Sequence, residues 1–138
     1  MITSQKQYLA AQEKLKILKD STKSKFKAGV PDILKKAAQG QTAELASEIE
    51  NEIKEYEGLK NFKASAIRID SIEDLMLAPI RYRLAKNMTI EEFARKVDVH
   101  SRQIIRYEED DYRNATTDTL LKILGRLDIH LSGDLKVS

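Results

Sequence analysis

Within one run of six residues, Ser101, Arg102, Gln103 and Arg106 bring together a hydroxyl, a carboxamide and two guanidinium groups. Groups of these types can hydrogen-bond to nucleobase edges and phosphates: a guanidinium can donate in pairs to guanine or phosphate oxygens, and a carboxamide can both donate and accept at adenine. That chemistry requires a rigid support with a packed back and an open front. The spacing predicts one, a helix starting near His100 or Ser101 that buries Ile104 and Tyr107. Ser101, Arg102, Ile105 and Arg106 then point outward, with Gln103 beside them.

The preceding residues read as the partner of that helix. Thr89 followed by Glu92 is a capping box. Phe93, Ala94 and Val97 then share one helical face, with Ala94 small enough for a steeply crossing helix to approach closely. Asp98 occupies the expected left-handed turn position, where Asn and Asp are tolerated in place of Gly. Val99 can plug the turn into the core. Two helices joined by so short a turn have the layout of a helix-turn-helix, whose second helix is presented to the DNA major groove. An ordinary packed helical pair has the same spacing, and the residues alone leave both readings open.

Other chemistries find little support. His100 and His130 are far apart, and His100 falls at a helix start, where capping is the expected role. There is no phosphate-cradling Gly-rich loop, no nucleophile elbow and no His/carboxylate cluster at metal-ligand spacing. The pairs Glu91-Glu92 and Glu108–Asp111 read as surface charge. No catalytic residue, metal or cofactor is expected.

At 138 residues the chain fits one or two small domains, and 33% charged residues with two Pro and five Gly favour helix. Without Cys, disulfides and thiolate metal sites are ruled out. No apolar run approaches the roughly 18 residues of a membrane span, and no signal-peptide core opens the chain, so a cytoplasmic location without membrane attachment is expected. The net charge of +2 is small: residues 71–138 hold 11 Lys and Arg against 12 Asp and Glu, and residues 1–70 hold 13 against 10. A nucleic-acid surface must therefore come from local clustering. Arg81, Arg83 and Lys86 at the end of one helix, and Arg102 and Arg106 on the next-but-one, are the expected clusters. The run Glu108-Glu109-Asp110-Asp111 reads as a solvated loop that repels phosphate unless Arg106 and Arg113 offset it.

The N-terminal half predicts separate helices. Ser4 caps one that runs to about Ser21 with Tyr8, Ala11, Leu15 and Leu18 on its stripe. Ala28-Gly29-Val30-Pro31 breaks the chain, Pro31 suits the first turn of a short helix through Ala38, and Gly40 ends it. A longer helix follows from near Thr42, with Leu45, Ile49, Ile53 and Tyr56 on one stripe, closing about Gly58. Residues 61–70 read as a linker, with Ile67, Ile69 and Ile72 free to pack on either side. The stripe Leu45, Ile49, Ile53, Tyr56 serves either as the core of a hairpin or as a dimerisation or partner-binding arm. Eight lysines between Lys14 and Lys36 face only Asp20 and Asp32, which suits a solvated loop and helix face, or a surface that flanks DNA or meets an acidic partner.

Residues 75–131 resemble the Xre (Cro/C1-type repressor) helix-turn-helix family. The matching pieces are 78–89 (APIRYRLAKNMT), the helix pair itself, Arg106-Tyr107-Glu108, the 111–116 loop (DYRNAT) and the 120–127 helix (LLKILGRL). The resemblance implies an all-α, lambda-repressor-like domain of about five helices from about Ser71. In it, Leu131–Leu135 is short and interrupted by Gly133. It also implies that Ser101, Arg102 and Arg106, with Gln103 nearby, read bases and that Thr89 marks a phosphate-contacting end. Ile90 stands where the family usually has a polar residue, and Ile105 is apolar on the DNA-facing side. The whole layout is a helical arm over residues 1–62, a linker over 63–71 and a helix-turn-helix domain over 72–138. It resembles HigA-type antitoxins, which implies a homodimer that binds a double-stranded operator, represses its own operon and clasps a toxin protein.

Overall fold

The computed structural model describes residues 1–21, 29–63 and 65–138. These form two compact units, Met1–Phe62 and Lys63–Ser138. Among the described residues every regular element is a helix, so the fold is all-α. Ala28 of the expected chain break, and Lys23, Lys25 and Lys27 of the lysine-rich stretch, lie outside the described residues.

The first unit is an antiparallel pair, α1 (Gln5–Ser21) and α2 (Asp32–Lys60). Ser4 caps α1 as expected, its Oγ accepting from the Gln7 N–H at 3.2 Å while the Gln7 carboxamide oxygen accepts from the Thr3 N–H at 2.8 Å. Tyr8, Ala11, Leu15 and Leu18 are the half-buried residues of its stripe. The Tyr8 hydroxyl donates to Glu57 (2.6 Å), and Lys19 pairs with Glu50 (3.0 Å), so α1 ascends as α2 descends. Tyr8 and Tyr56 stack with ring centroids 5.0 Å apart.

The expected stop at Gly40 and fresh start near Thr42 do not occur. Helix α2 runs unbroken for 29 residues, through both Gly40 and Gly58. The reason lies in the backbone: Gly40 still makes its ladder hydrogen bonds and costs only about 1 kcal/mol relative to Ala. Thr42, instead of capping, turns its hydroxyl back onto the Ala38 carbonyl at 2.9 Å. Pro31 is the residue before α2, at its N-cap. Ile49, Ile53 and Tyr56, joined by Leu59 and Ile2, are buried inside this hairpin, whereas Leu45 is 37% exposed. Three members of the stripe are therefore hairpin core.

The second unit holds α3 (Ile72–Met76), α4 (Ala78–Ala85), α5 (Ile90–Val97), α6 (Ser101–Glu109) and α7 (Thr117–Gly125). Ser71, Thr89 and Thr116 cap α3, α5 and α7, each accepting from the N–H three residues on. Ile80, Phe93, Val97, Ile104, Tyr112 and Ile123 are fully buried and form the core. Of the linker isoleucines, Ile67 and Ile69 are half-buried, but Ile72 stays exposed because α3 turns its other face inward. No helix follows Gly125.

A buried ion pair ties α4 to α6. Arg83 Nε and Nη2 donate to the two carboxylate oxygens of Glu108 at 2.7 and 2.8 Å, and Nη1 donates to the Met88 carbonyl at 3.1 Å. Their side chains are only 7% and 5% exposed. Two expectations fall with this. Arg83 is not part of a surface cation cluster, and Glu108 is not part of a solvated acidic loop. Arg81, next along, is committed to Asp74 at 2.9 Å and, hydrogen bonding first, holds that carboxyl below its ordinary value.

Two stability measurements follow. Gly40→Ala should raise the urea midpoint, by about 1 kcal/mol of added stability, since a methyl there meets nothing within 4 Å; no gain would mean the helix is broken at this point. Arg83→Met should cost about 3–5 kcal/mol by stranding a buried carboxylate, and the double change with Glu108→Leu should recover most of the loss; equal losses would contradict a dry pair.

Candidate nucleic-acid interface

Three local devices aim α6. At the end of α5, Asp98 takes φ 54 and ψ 50, the left-handed geometry expected of it. The Val99 N–H then closes back onto the Ala94 carbonyl at 3.0 Å, ending α5 within one residue. His100 next caps α6, its Nδ1 accepting from the Arg102 N–H at 3.3 Å. At the front of α5 the Thr89 hydroxyl accepts from the Glu92 N–H at 3.1 Å and donates to the Glu92 carboxylate at 3.2 Å. The capping box thus closes on the hydroxyl. It occupies the group that Thr89 would turn toward a phosphate.

The interior side of α6 is Ile104, Tyr107 and Glu108, locked under α4 and the core. Its outer side carries Arg102, Ile105, Arg106 and Glu109, all exposed, with Ser101 and Gln103 half-buried at the flanks. The side chains of Arg102 and Arg106 form no ion pair with a described residue, and one turn separates them on the same surface. Two guanidinium groups are therefore available together, with the branched aliphatic Ile105 beside them. All four expected base-reading positions, Ser101, Arg102, Gln103 and Arg106, lie on this one helix.

The turn after α6 is tightly wound. Asp111 and Tyr112 both adopt positive φ (50 and 62), and the Tyr112 N–H bonds the Tyr107 carbonyl at 2.7 Å. A tyrosine in that region is strained, and its fully buried ring, 5.4 Å from that of Tyr107, holds it there. Burial, reinforced by the neighbouring Glu108 charge, pushes the Tyr112 phenol well above its ordinary value, and among the described residues its hydroxyl has no hydrogen-bond partner. The turn leaves Arg113 exposed just past the acidic residues. With Glu108 inside, the exposed acidic run shrinks to Glu109 and Asp110, with Asp111 half-buried.

The buried Arg83–Glu108 pair is what residue-by-residue reading missed at this site. Its signal was present: Glu108 stands four after Ile104, and Arg83 three after Ile80, so the apolar periodicity of both helices turns these charges inward. Read as charges they looked solvated; read as positions they face each other.

Among the described residues no helix is long and apolar enough to cross a membrane. No curated protein and no solved structure matches the chain. Residues 80–133, from α4 to the segment after α7, match the family model described as "Helix-turn-helix", and with α5 and α6 as its two central helices this segment is a helix-turn-helix domain.

Proposed function

We propose that this chain is a sequence-specific, cytoplasmic DNA-binding regulator of transcription, a repressor that acts as a homodimer on a double-stranded operator, its own promoter included. The observation that carries the proposal is the outer face of α6, where Arg102 and Arg106 stand exposed, without carboxylate partners among the described residues, on a helix whose other face is locked into the core. A helix of about 10–12 Å diameter fits a major groove about 12 Å wide. Arg102 and Arg106 then donate to guanine edges or to phosphate, and Ser101 and Gln103 set the register. Arg113 then donates to the phosphate backbone, and Thr89 joins it once its hydroxyl leaves the Glu92 carboxylate. The modest overall charge suits a protein that binds through few phosphate contacts and gains affinity by using two half-sites.

A second reading is favoured by one observation, the exposed Ile33, Leu34 and Leu45 along α2. Under it the first unit is an antitoxin arm that binds and neutralises a toxin protein, and DNA binding is secondary. Co-purification with the product of a neighbouring gene, lost on Leu34→Lys and Leu45→Lys but retained on Arg102→Ala, would favour this reading.

The regulator reading is tested by gel-shift titration with the DNA upstream of the chain's own gene, at two salt concentrations. Arg102→Ala should cost about 1–3 kcal/mol of specific affinity and relax the preference at one base position. A variant that binds with unchanged affinity and specificity would remove α6 from the interface.

A further inference from the structure

The outer face of α6 carries one side chain that charge and hydrogen bonding leave unexplained. Ile105 is 42% exposed on a surface whose other exposed residues, Arg102, Arg106 and Glu109, are all charged. An isoleucine at such a position gives up helix propensity relative to Lys, Gln or Ala, and its side chain neither donates nor accepts a hydrogen bond. It is also stiff, because a β-branched side chain in a helix keeps one strongly preferred χ1 rotamer. What α6 presents is therefore a fixed apolar knob beside two guanidinium groups that form no ion pair with a described residue. A protein partner would need a wider apolar surface. Stable interfaces bury about 800 Å² on each side around an apolar centre, and Ile105 is the only large apolar side chain exposed on α6. One branched side chain matches a feature of its own size. The edges that base pairs show in the major groove are otherwise donors and acceptors, and their one apolar group is the C5-methyl of thymine.

We propose that Ile105 reads the C5-methyl group of a pyrimidine in the base pair next to the guanine taken by Arg102 or Arg106. The contact selects thymine, and 5-methylcytosine, which carries the same methyl at the same place, satisfies it as well. The inference rests on the DNA-binding reading of α6 and adds to it a base that no hydrogen bond of the helix would choose. The spacing suits neighbouring pairs. Ile105 stands three residues after Arg102, a rise of about 4.5 Å along the helix, and successive base pairs are about 3.4 Å apart. Excluding water from both surfaces supplies the preference: burying one methyl favours thymine over uracil by about fourfold. The same burial makes a site with cytosine at this position respond to C5 methylation, with no change in the groups that hydrogen-bond.

The test removes the methyl and leaves base pairing intact. The full-length chain enriches binding sequences from a pool of random duplexes, and the selected duplex is resynthesised with deoxyuridine in place of each thymine in turn. In fluorescence-anisotropy titrations the wild type should lose about fourfold in affinity at one thymine position of the half-site. Ile105→Ala should bind the thymine and deoxyuridine forms of that position alike, while Ile105→Val should keep most of the difference. With cytosine at that position, C5 methylation should raise wild-type affinity by about fourfold and leave Ile105→Ala unmoved. Each comparison is made within one variant, so a change in folding cancels. If no deoxyuridine weakens the wild type, or if Ile105→Ala still tells the two forms apart, the contact is overturned. The DNA-binding reading then stands, provided that the selected duplex is still lost on Arg102→Ala. A pool that yields no enriched sequence overturns both.

Discussion

A guanidinium and a carboxylate that face each other in a dry interior decide which way α6 points. Arg83 reaches Glu108 through two parallel hydrogen bonds and holds the Met88 carbonyl with its remaining nitrogen. Such a pair adds little net stability, because removing both charges from water offsets most of their attraction. Its effect is on geometry. A forked guanidinium accepts a carboxylate in one plane and at one depth, so any rotation of α6 about its axis would strand both charges. Rotation by one residue would also carry Arg102 and Arg106 away from the outer face. The two exposed arginines are thus held in place by a third that never meets solvent.

Close around that pair the backbone accepts strain. Asn87 and Asp98 take left-handed geometry where α4 and α5 end, and Asp111 and Tyr112 do so after α6. Short polar side chains tolerate this region at modest cost. Tyr112 does not, and it also buries a hydroxyl that has no partner among the described residues, a penalty of about 1–3 kcal/mol. Its ring offsets that cost by filling the core beside Tyr107. The result is a set of abrupt turns that keep α4, α5 and α6 short.

The first unit is built on a different principle. Two amphipathic helices bury a narrow seam, with stacked tyrosines and a Tyr8–Glu57 hydrogen bond where α1 begins. Helix α2 spans roughly 43 Å at 1.5 Å per residue, while the buried residues fall only between Ile49 and Leu59. Its length is sustained by local propensity over the first half and by packing over the second.

Much of this was legible from residues alone. Period, caps and turn chemistry are short-range, so Ser4, Thr89 and His100 as helix starts, Asp98 as a left-handed turn, and Ile104 and Tyr107 as the buried side of α6 could all be read from spacing. Gly40 misled, because glycine weakens a helix by about 1 kcal/mol and whether it breaks one depends on neighbours several turns away. Contacts across long sequence separations were decided only in three dimensions. Arg83 and Glu108 lie 25 residues apart, and no local rule says that two charges will cancel inside rather than gather outside. Nor could spacing choose between hairpin core and free arm for Ile49, Ile53 and Tyr56, since burial depends on what packs opposite. The chain by itself determined most of its helix starts, the faces of α5 and α6 and the groups that can meet a base edge. The tertiary structure determined which charges remained to do so, because only packing settles which side chains keep their water.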